Sequence, residues 1–238
     1  MKSLSIIKPA LFCLIVIALS TLSLKAQETK NVAINNFSEV AVGAGIGLYI
    51  TQGSTESARI VADDDVINDV LLEKSGSRIT VGWKNNQGMR KMWKNRNAKV
   101  YITYKNLNSV TASSGSSIVT ETILKTDRLD AKVSSGADMD LNLNCKELQL
   151  QTSSGADAKL KGTATNIELK SSSGSDIKAF DLTADYARVT VSSGADINVT
   201  VNKGLETTSS SGGSIRYKGN ASLNNHSSSR SSSVKRAD

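Results

Sequence analysis

Between residues 111 and 220 apolar and polar side chains alternate, and a Ser-Ser-Gly triplet interrupts the alternation at regular intervals. Its glycines are Gly115, Gly136, Gly155, Gly174, Gly194 and Gly212, spaced by 21, 19, 19, 20 and 18 residues. Counting from each glycine aligns the rest. Three residues after it stand Ile118, Met139, Ala158, Ile177, Ile197 and Ile215. Seven before it, from the second copy on, stand Leu129, Leu148, Ile167, Ala187 and Leu205. Five before it stand Ala131, Leu150, Leu169, Val189 and Thr207. Polar residues such as Asp130, Gln149, Glu168 and Arg188 separate these columns. A period of two marks a strand with one buried face, and helical i, i+3, i+4 spacing does not fit.

A unit of about 20 residues cannot bury its own apolar face, whereas stacked units can. The pattern therefore predicts an all-β fold, a parallel β-helix or solenoid with coils of about 20 residues. Short strands with frequent turns also suit a β-sandwich of hairpins, but the even repeat length favours the solenoid. If alternation runs unbroken through the triplet, both neighbours of each glycine point inward, for example Ser135 and Ala137. The glycine itself permits a bulge or a positive φ. Two positions after it, Asp138, Asp157, Asp176 and Asp196 form an outward column of like charge. Carboxylate oxygens suit Ca²⁺, so this column is the metal candidate. Lys159 and Lys178 offer another way to offset the repulsion, and the nonapeptide calcium repeat is absent. No cofactor is expected.

Residues 28–110 carry strand patterns without the Ser-Ser-Gly unit. Val66 to Leu72 reads as a short helical turn. Arg78–Trp83 and Ala98–Tyr104 read as a strand pair around a basic loop, residues 84–97. From Lys84 to Lys99 there are six cations and no acid. Trp83, Arg90, Lys91, Trp93, Lys94 and Arg96 combine aromatics with positive charge, which makes them the candidate partner contact. The run Gly43-Ala44-Gly45-Ile46-Gly47 is not a dinucleotide loop, because its spacing is wrong and a strand follows it.

Residues 1–26 have a basic start, an apolar run from Ala10 to Leu24 and the small residue Ala26, the pattern of a cleaved secretory signal. The run is too short for a membrane span, which needs about 20 apolar residues, so no transmembrane segment is expected after cleavage. Cys13 is poorly placed for lipid attachment. Cleavage removes three lysines and lowers the net charge from +7 to +4, much of it in the basic loop. The charge therefore argues weakly for nucleic acid, and export argues against it. Cys145 alone would remain, so no internal disulfide is available.

The order of these elements resembles a known family. Phe37-Ser38-Glu39-Val40, the stretch Val42 to Gly53, Val100-Tyr101-Ile102-Thr103-Tyr104, the Ser-Ser-Gly-Ala-Asp series and a closing Ser211-Gly212-Gly213-Ser214-Ile215 carry the likeness. Together they are similar to the putative auto-transporter adhesin, head GIN domain family over about residues 31–220. The resemblance implies an exported, right-handed β-helix of Bacteroidetes-type bacteria and supplies no catalytic residues. The tail, residues 221–238, is Ser-rich and expected to be a frayed cap or disordered. The function expected is a non-enzymatic envelope or surface module, adhesin-like, located in the periplasm, on the outer surface or outside the cell. Its partner would be a surface polysaccharide or another envelope protein. The alternatives are a carbohydrate-active β-helix enzyme and an envelope signalling or stress protein. Against an enzyme, the carboxylates recur in equivalent positions and the one histidine, His226, lies in the tail.

Overall fold

The computed structural model describes residues 27–84, 97–227 and 231–237. The signal segment and most of the basic loop lie outside these residues. The regular coils run through β8 (Ser109–Ala112), β9 (Ser117–Thr120), β10 (Leu124–Ser134), β11 (Asp138–Ser153), β12 (Asp157–Ser171), β13 (Asp176–Val191), β14 (Asp196–Ser209) and β15 (Ser214–Lys218). Each strand pairs in parallel with the equivalent segment one coil on. The sequence columns become ladders: Leu129, Leu148, Ile167, Ala187 and Leu205 stand side by side. So do Ile118, Met139, Ala158, Ile177, Ile197 and Ile215. All are buried. Fully burying one leucine- or isoleucine-sized side chain contributes about 1.5–3 kcal/mol, so the ladders are the main source of cohesion. The protein is a β-solenoid, as the repeat predicts.

Alternation breaks at the triplet. The second serine of each copy has φ between 48° and 57°, and the glycine after it has φ between 65° and 79°. In four copies the next amide donates back to the first serine's carbonyl, for example Ala137 N to Ser134 O at 3.3 Å and Gly213 N to Ser210 O at 2.9 Å. Two successive positive φ values closed in this way make a type I′ turn. The turn takes two residues out of the strand pattern. Ser135 is therefore exposed while Ala137 is buried, which corrects the expectation that both flanks of the glycine face inward. The turns also stack. The amide of Gly115 donates to Ser135 O, Gly136 to Ser154 O, Gly155 to Ser173 O and Gly174 to Ser193 O, each at 3.1 Å.

A seventh turn precedes the six triplets. Ala44 and Gly45 have φ of 56° and 76°, Ile46 N donates to Gly43 O, and Gly45 N donates to Ser114 O at 3.0 Å. It joins β2 (Glu39–Val42) to β3 (Gly47–Gln52), which stack on β8 and β9. On the other side of β2 and β3 lie β6 (Arg78–Trp83) and β7 (Ala98–Tyr104), parallel to them. β6 and β7 are thus neighbours within one coil, lying in adjacent ladders, and not partners of each other as the sequence suggested. Their partners on the outer side are antiparallel: β5 (Val70–Ser75) covers β6, β4 (Ser57–Asp63) covers β7, and β1 (Gln27–Val32) covers β4. The helical turn before β5 is a single 3₁₀ turn, Ile67–Asp69.

The interior narrows at the corners, where small residues stack. Where these are hydroxyls, they are satisfied. Thr152 Oγ1 donates to Ser171 Oγ at 2.8 Å, Ser171 Oγ to Ser175 O at 2.8 Å, and Ser175 Oγ to Ser172 O at 2.7 Å. Cys145 is buried, and burial pushes its thiol up to about 11, so it stays protonated near neutrality. The Ser-rich tail adds β16 (Ser222–Asn225) and β17 (Ser233–Arg236), parallel to β14 and β15. This coil is polar where others are apolar: Asn225 Oδ1 accepts from Thr207 Oγ1 at 3.1 Å, and Ser227 Oγ accepts from Ser209 N at 2.9 Å.

Candidate binding surface

The outward columns fall on two faces. On the face after the turn, Asp138, Asp157, Asp176 and Asp196 are in register, bracketed by Ser117 and Ser214. Two positions on runs a second column, Asp140, Lys159, Lys178, Asn198 and Arg216. Lys178 Nζ lies 3.8 Å from Asp157 Oδ1, and Lys161 Nζ lies 3.8 Å from Asp140 Oδ1. Among the described residues no group of three or more acidic, histidine or cysteine side chains is placed to hold a metal ion. The Asp176 carboxyl is held above its ordinary value by partial burial and then by the charges of Asp157 and Asp196, with Lys178 opposing.

A carboxyl raised in this way is less favourable as an anion in the folded chain than in the unfolded one. Its cost is present above the folded value and vanishes as falling pH protonates it. Asp176→Asn should therefore stabilise at pH 7 by about 0.5 kcal/mol, the scale of a like-charge cross-strand pair. The gain should shrink towards zero as pH falls through the carboxylate range. Thermal melts of both proteins between pH 7 and pH 3 measure this, and a lower melting temperature for the variant at pH 7 would refute it.

The face before the turn is long and charge-paired. Arg78 Nη2 lies 2.8 Å from Glu39 Oε2, Arg128 Nε lies 3.5 Å from Asp130 Oδ2, and Lys170 Nζ lies 2.6 Å from Glu168 Oε1. Further along, Arg188 Nη2 lies 3.0 Å from Glu206 Oε2, and Lys203 Nζ lies 3.0 Å from Asp185 Oδ2. Two grooves open on this face. One, about 790 Å³, runs past Glu39, Arg78, Arg128 and Asp130. The other, about 400 Å³, runs past Tyr186, Arg188, Gly204 and Glu206.

Trp83, the first residue of the predicted contact, is half-buried at the end of β6. Its indole Nε1 donates to Ala44 O at 2.8 Å. In the regular coils the equivalent carbonyl receives the glycine amide of the preceding turn. At the coil of β6 and β7 the indole N–H of Trp83 supplies that donor. Arg90, Lys91, Trp93, Lys94 and Arg96 lie outside the described residues. Sequence reasoning did not single out Tyr186 and Gly204. The signal was available: both stand eight residues before a turn glycine, one step beyond the columns that were counted.

The sequence signature of the putative auto-transporter adhesin, head GIN domain matches residues 36–221. The chain belongs to this family. Solved structures share the fold of this head GIN chain. A putative adhesin from Bacteroides fragilis aligns with TM-score 0.76 at 23% identity, over 90% of this chain and 98% of that one. A putative adhesin from Parabacteroides merdae gives TM-score 0.71 at 20% identity, over 89% and 96%. A structure from Parabacteroides distasonis described as a putative lipid binding protein gives TM-score 0.72 at 16% identity, over 89% and 97%. No curated protein matches the sequence. Among the described residues of this head GIN chain no helix is long and apolar enough to cross a membrane.

Proposed function

We propose that this head GIN protein is an exported, non-enzymatic binding module of the bacterial envelope or surface. It engages an extended partner, a surface polysaccharide or another envelope protein, along a solenoid face. The supporting observation is the face before the turn, where polar columns keep register over successive coils and their charges are already paired. Such a face is preorganised for a long partner and offers many equivalent weak contacts instead of one reactive centre. The family and the neighbours named as putative adhesins are consistent with this reading. The basic segment rooted at Trp83 is a second contact region in this proposal.

Labelled protein, purified after expression of the full chain, should bind intact bacterial cells saturably. Incubated with acidic polysaccharides, with and without Ca²⁺, it should release no new reducing or unsaturated ends. Turnover of any such substrate, or recovery of only cytoplasmic partners from cells, would overturn the proposal.

A further inference from the structure

We infer that the groove at Tyr186 is a binding subsite for a neutral, polyhydroxylated ligand, a short stretch of an uncharged surface polysaccharide; this rests on the surface-binding function proposed above. In the ladder eight residues before the turn glycines, Asn166, Tyr186, Gly204 and Ser222 stand side by side. Gly204 lies within β14 without the positive φ that would call for glycine. The lack of a side chain matters for space: a Cβ there would stand 3.0 Å from Tyr186 Cδ1 and 3.5 Å from Cε1. The ring therefore leans across bare backbone. One side rests on the strand, and half of the residue's surface, 50%, stays open to solvent. A tyrosine fixed in this way offers a rigid apolar surface with a polar tip, at little entropic cost to a ligand.

The groups around the ring decide the ligand's charge. Asn166, Glu168, Arg188, Glu206 and Asn224 line the groove with planar hydrogen-bonding ends. Each ion among them already has its counter-ion: Arg188 holds Glu206 through Nε at 3.1 Å and Nη2 at 3.0 Å, and Lys170 holds Glu168. An anionic ligand would have to displace Glu206 from Arg188, or Asp185 from Lys203, whose ammonium lies 5.8 Å from the ring centroid. Hydroxyl groups can donate to the carboxylates and accept from the guanidinium and amides without breaking either pair. A volume of about 400 Å³ lies at the lower end of small-ligand pockets, ~300–1,000 Å³. An apolar platform with paired ions and amides at its rim is the chemistry of a sugar ring, whose faces are C–H and whose edge is hydroxyl.

Affinity electrophoresis tests this, with protein from the full chain run through gels containing mannan, galactan, xylan or β-glucan, and through alginate and hyaluronan. The wild type should be retarded by at least one neutral polysaccharide. Tyr186→Phe should keep the effect, and Tyr186→Ala should weaken binding roughly tenfold or more, as for a central aromatic anchor. Gly204→Val, which drives the ring off its seat, should act like Tyr186→Ala, with melting curves confirming that each variant is folded. Equal retardation of wild type and Tyr186→Ala, or retardation by the acidic gels alone, would overturn the subsite. Wild type that binds intact cells but none of the neutral gels would also overturn it while leaving the surface-binding function in place. Wild type that binds neither would overturn both.

Discussion

Ala156→Phe should destabilise the solenoid by about 3 kcal/mol, the upper part of the range for overpacking a close-packed interior. Ala156 follows the turn glycine Gly155 and has no exposed surface. Its column is Ser116, Ala137, Ala156, Ser175, Ala195 and Gly213, every member small and buried. Backbone bonds from Asp157 N to Ala137 O and from Asp176 N to Ala156 O, each 3.0 Å, fix the stacking of neighbouring coils at this column. The column also lies close to the strand before the turn, since a Cβ on Gly213 would stand 2.9 Å from Val191 Cγ1. A phenyl ring on this fully buried column would have to push aside the backbone and side chains packed against it. In a domain of this size 3 kcal/mol corresponds to a fall of about 6–12 °C in melting temperature. Lys159→Phe, three residues on and facing out, should change stability by about 0.5 kcal/mol or less. Denaturant unfolding of the two variants checks the contrast. Equal losses would mean that the column is not the tight wall described.

The inward ladders were legible because period two and a fixed repeat length leave little freedom: once Leu148 and Leu150 face in, Ile167 and Leu169 must follow. The turn was half legible. Counting by twos through Ser135 and Gly136 assumes strand geometry, and positive φ at both residues removes it. The turn at Gly43-Ala44-Gly45 was legible as a turn but not as a seventh copy of the unit, because it has no serines and Ile46 fills the corner that alanine, serine or glycine occupies elsewhere. The stacking order of the early coils could not be read at all. β6 and β7 follow β2 and β3 in sequence yet lie outside them, closed off by antiparallel strands, and alternation says which face is buried but not which strand is the neighbour.

The candidate site divides in the same way. The aspartate column was legible as a column, and its residues are in register. Its energetic balance was legible only in part, because the contact of Lys178 with Asp157 crosses one coil and depends on register. The role of Trp83 was not legible, since it replaces an amide donor that the regular coils supply from the turn. Positions that obey the repeat are accounted for by the repeat. Departures from it, such as a tyrosine seated on a glycine or an indole donor in place of a turn amide, need another reason, and they mark where binding chemistry can reside.

Gly162→Ala should cost about 4 kcal/mol, at the edge of what one substitution normally does. Gly162 has φ of 110°, a conformation an alanine side chain strongly disfavours. It is paired with Leu143 in the neighbouring coil, and an added Cβ would fall on the Leu143 carbonyl oxygen and within 3.0 Å of its carbon. Those atoms belong to the ladder itself and cannot swing aside as a side chain would. Gly219, seven residues after its own turn glycine as Gly162 is, meets the Val201 carbonyl in the same manner. Gly155→Ala separates strain from collision: Gly155 has φ of 65°, but a Cβ there meets nothing within 4 Å. That variant should lose only about 1–2 kcal/mol, the cost of the left-handed conformation alone. Because each coil touches only its neighbours, the Gly162 defect should also be local. Hydrogen exchange should show lost protection where β11 meets β12, with β14 and β15 little changed. Equal destabilisation by the two alanines, or uniform loss of protection along the chain, would show that backbone collision at this corner is not what limits the fold.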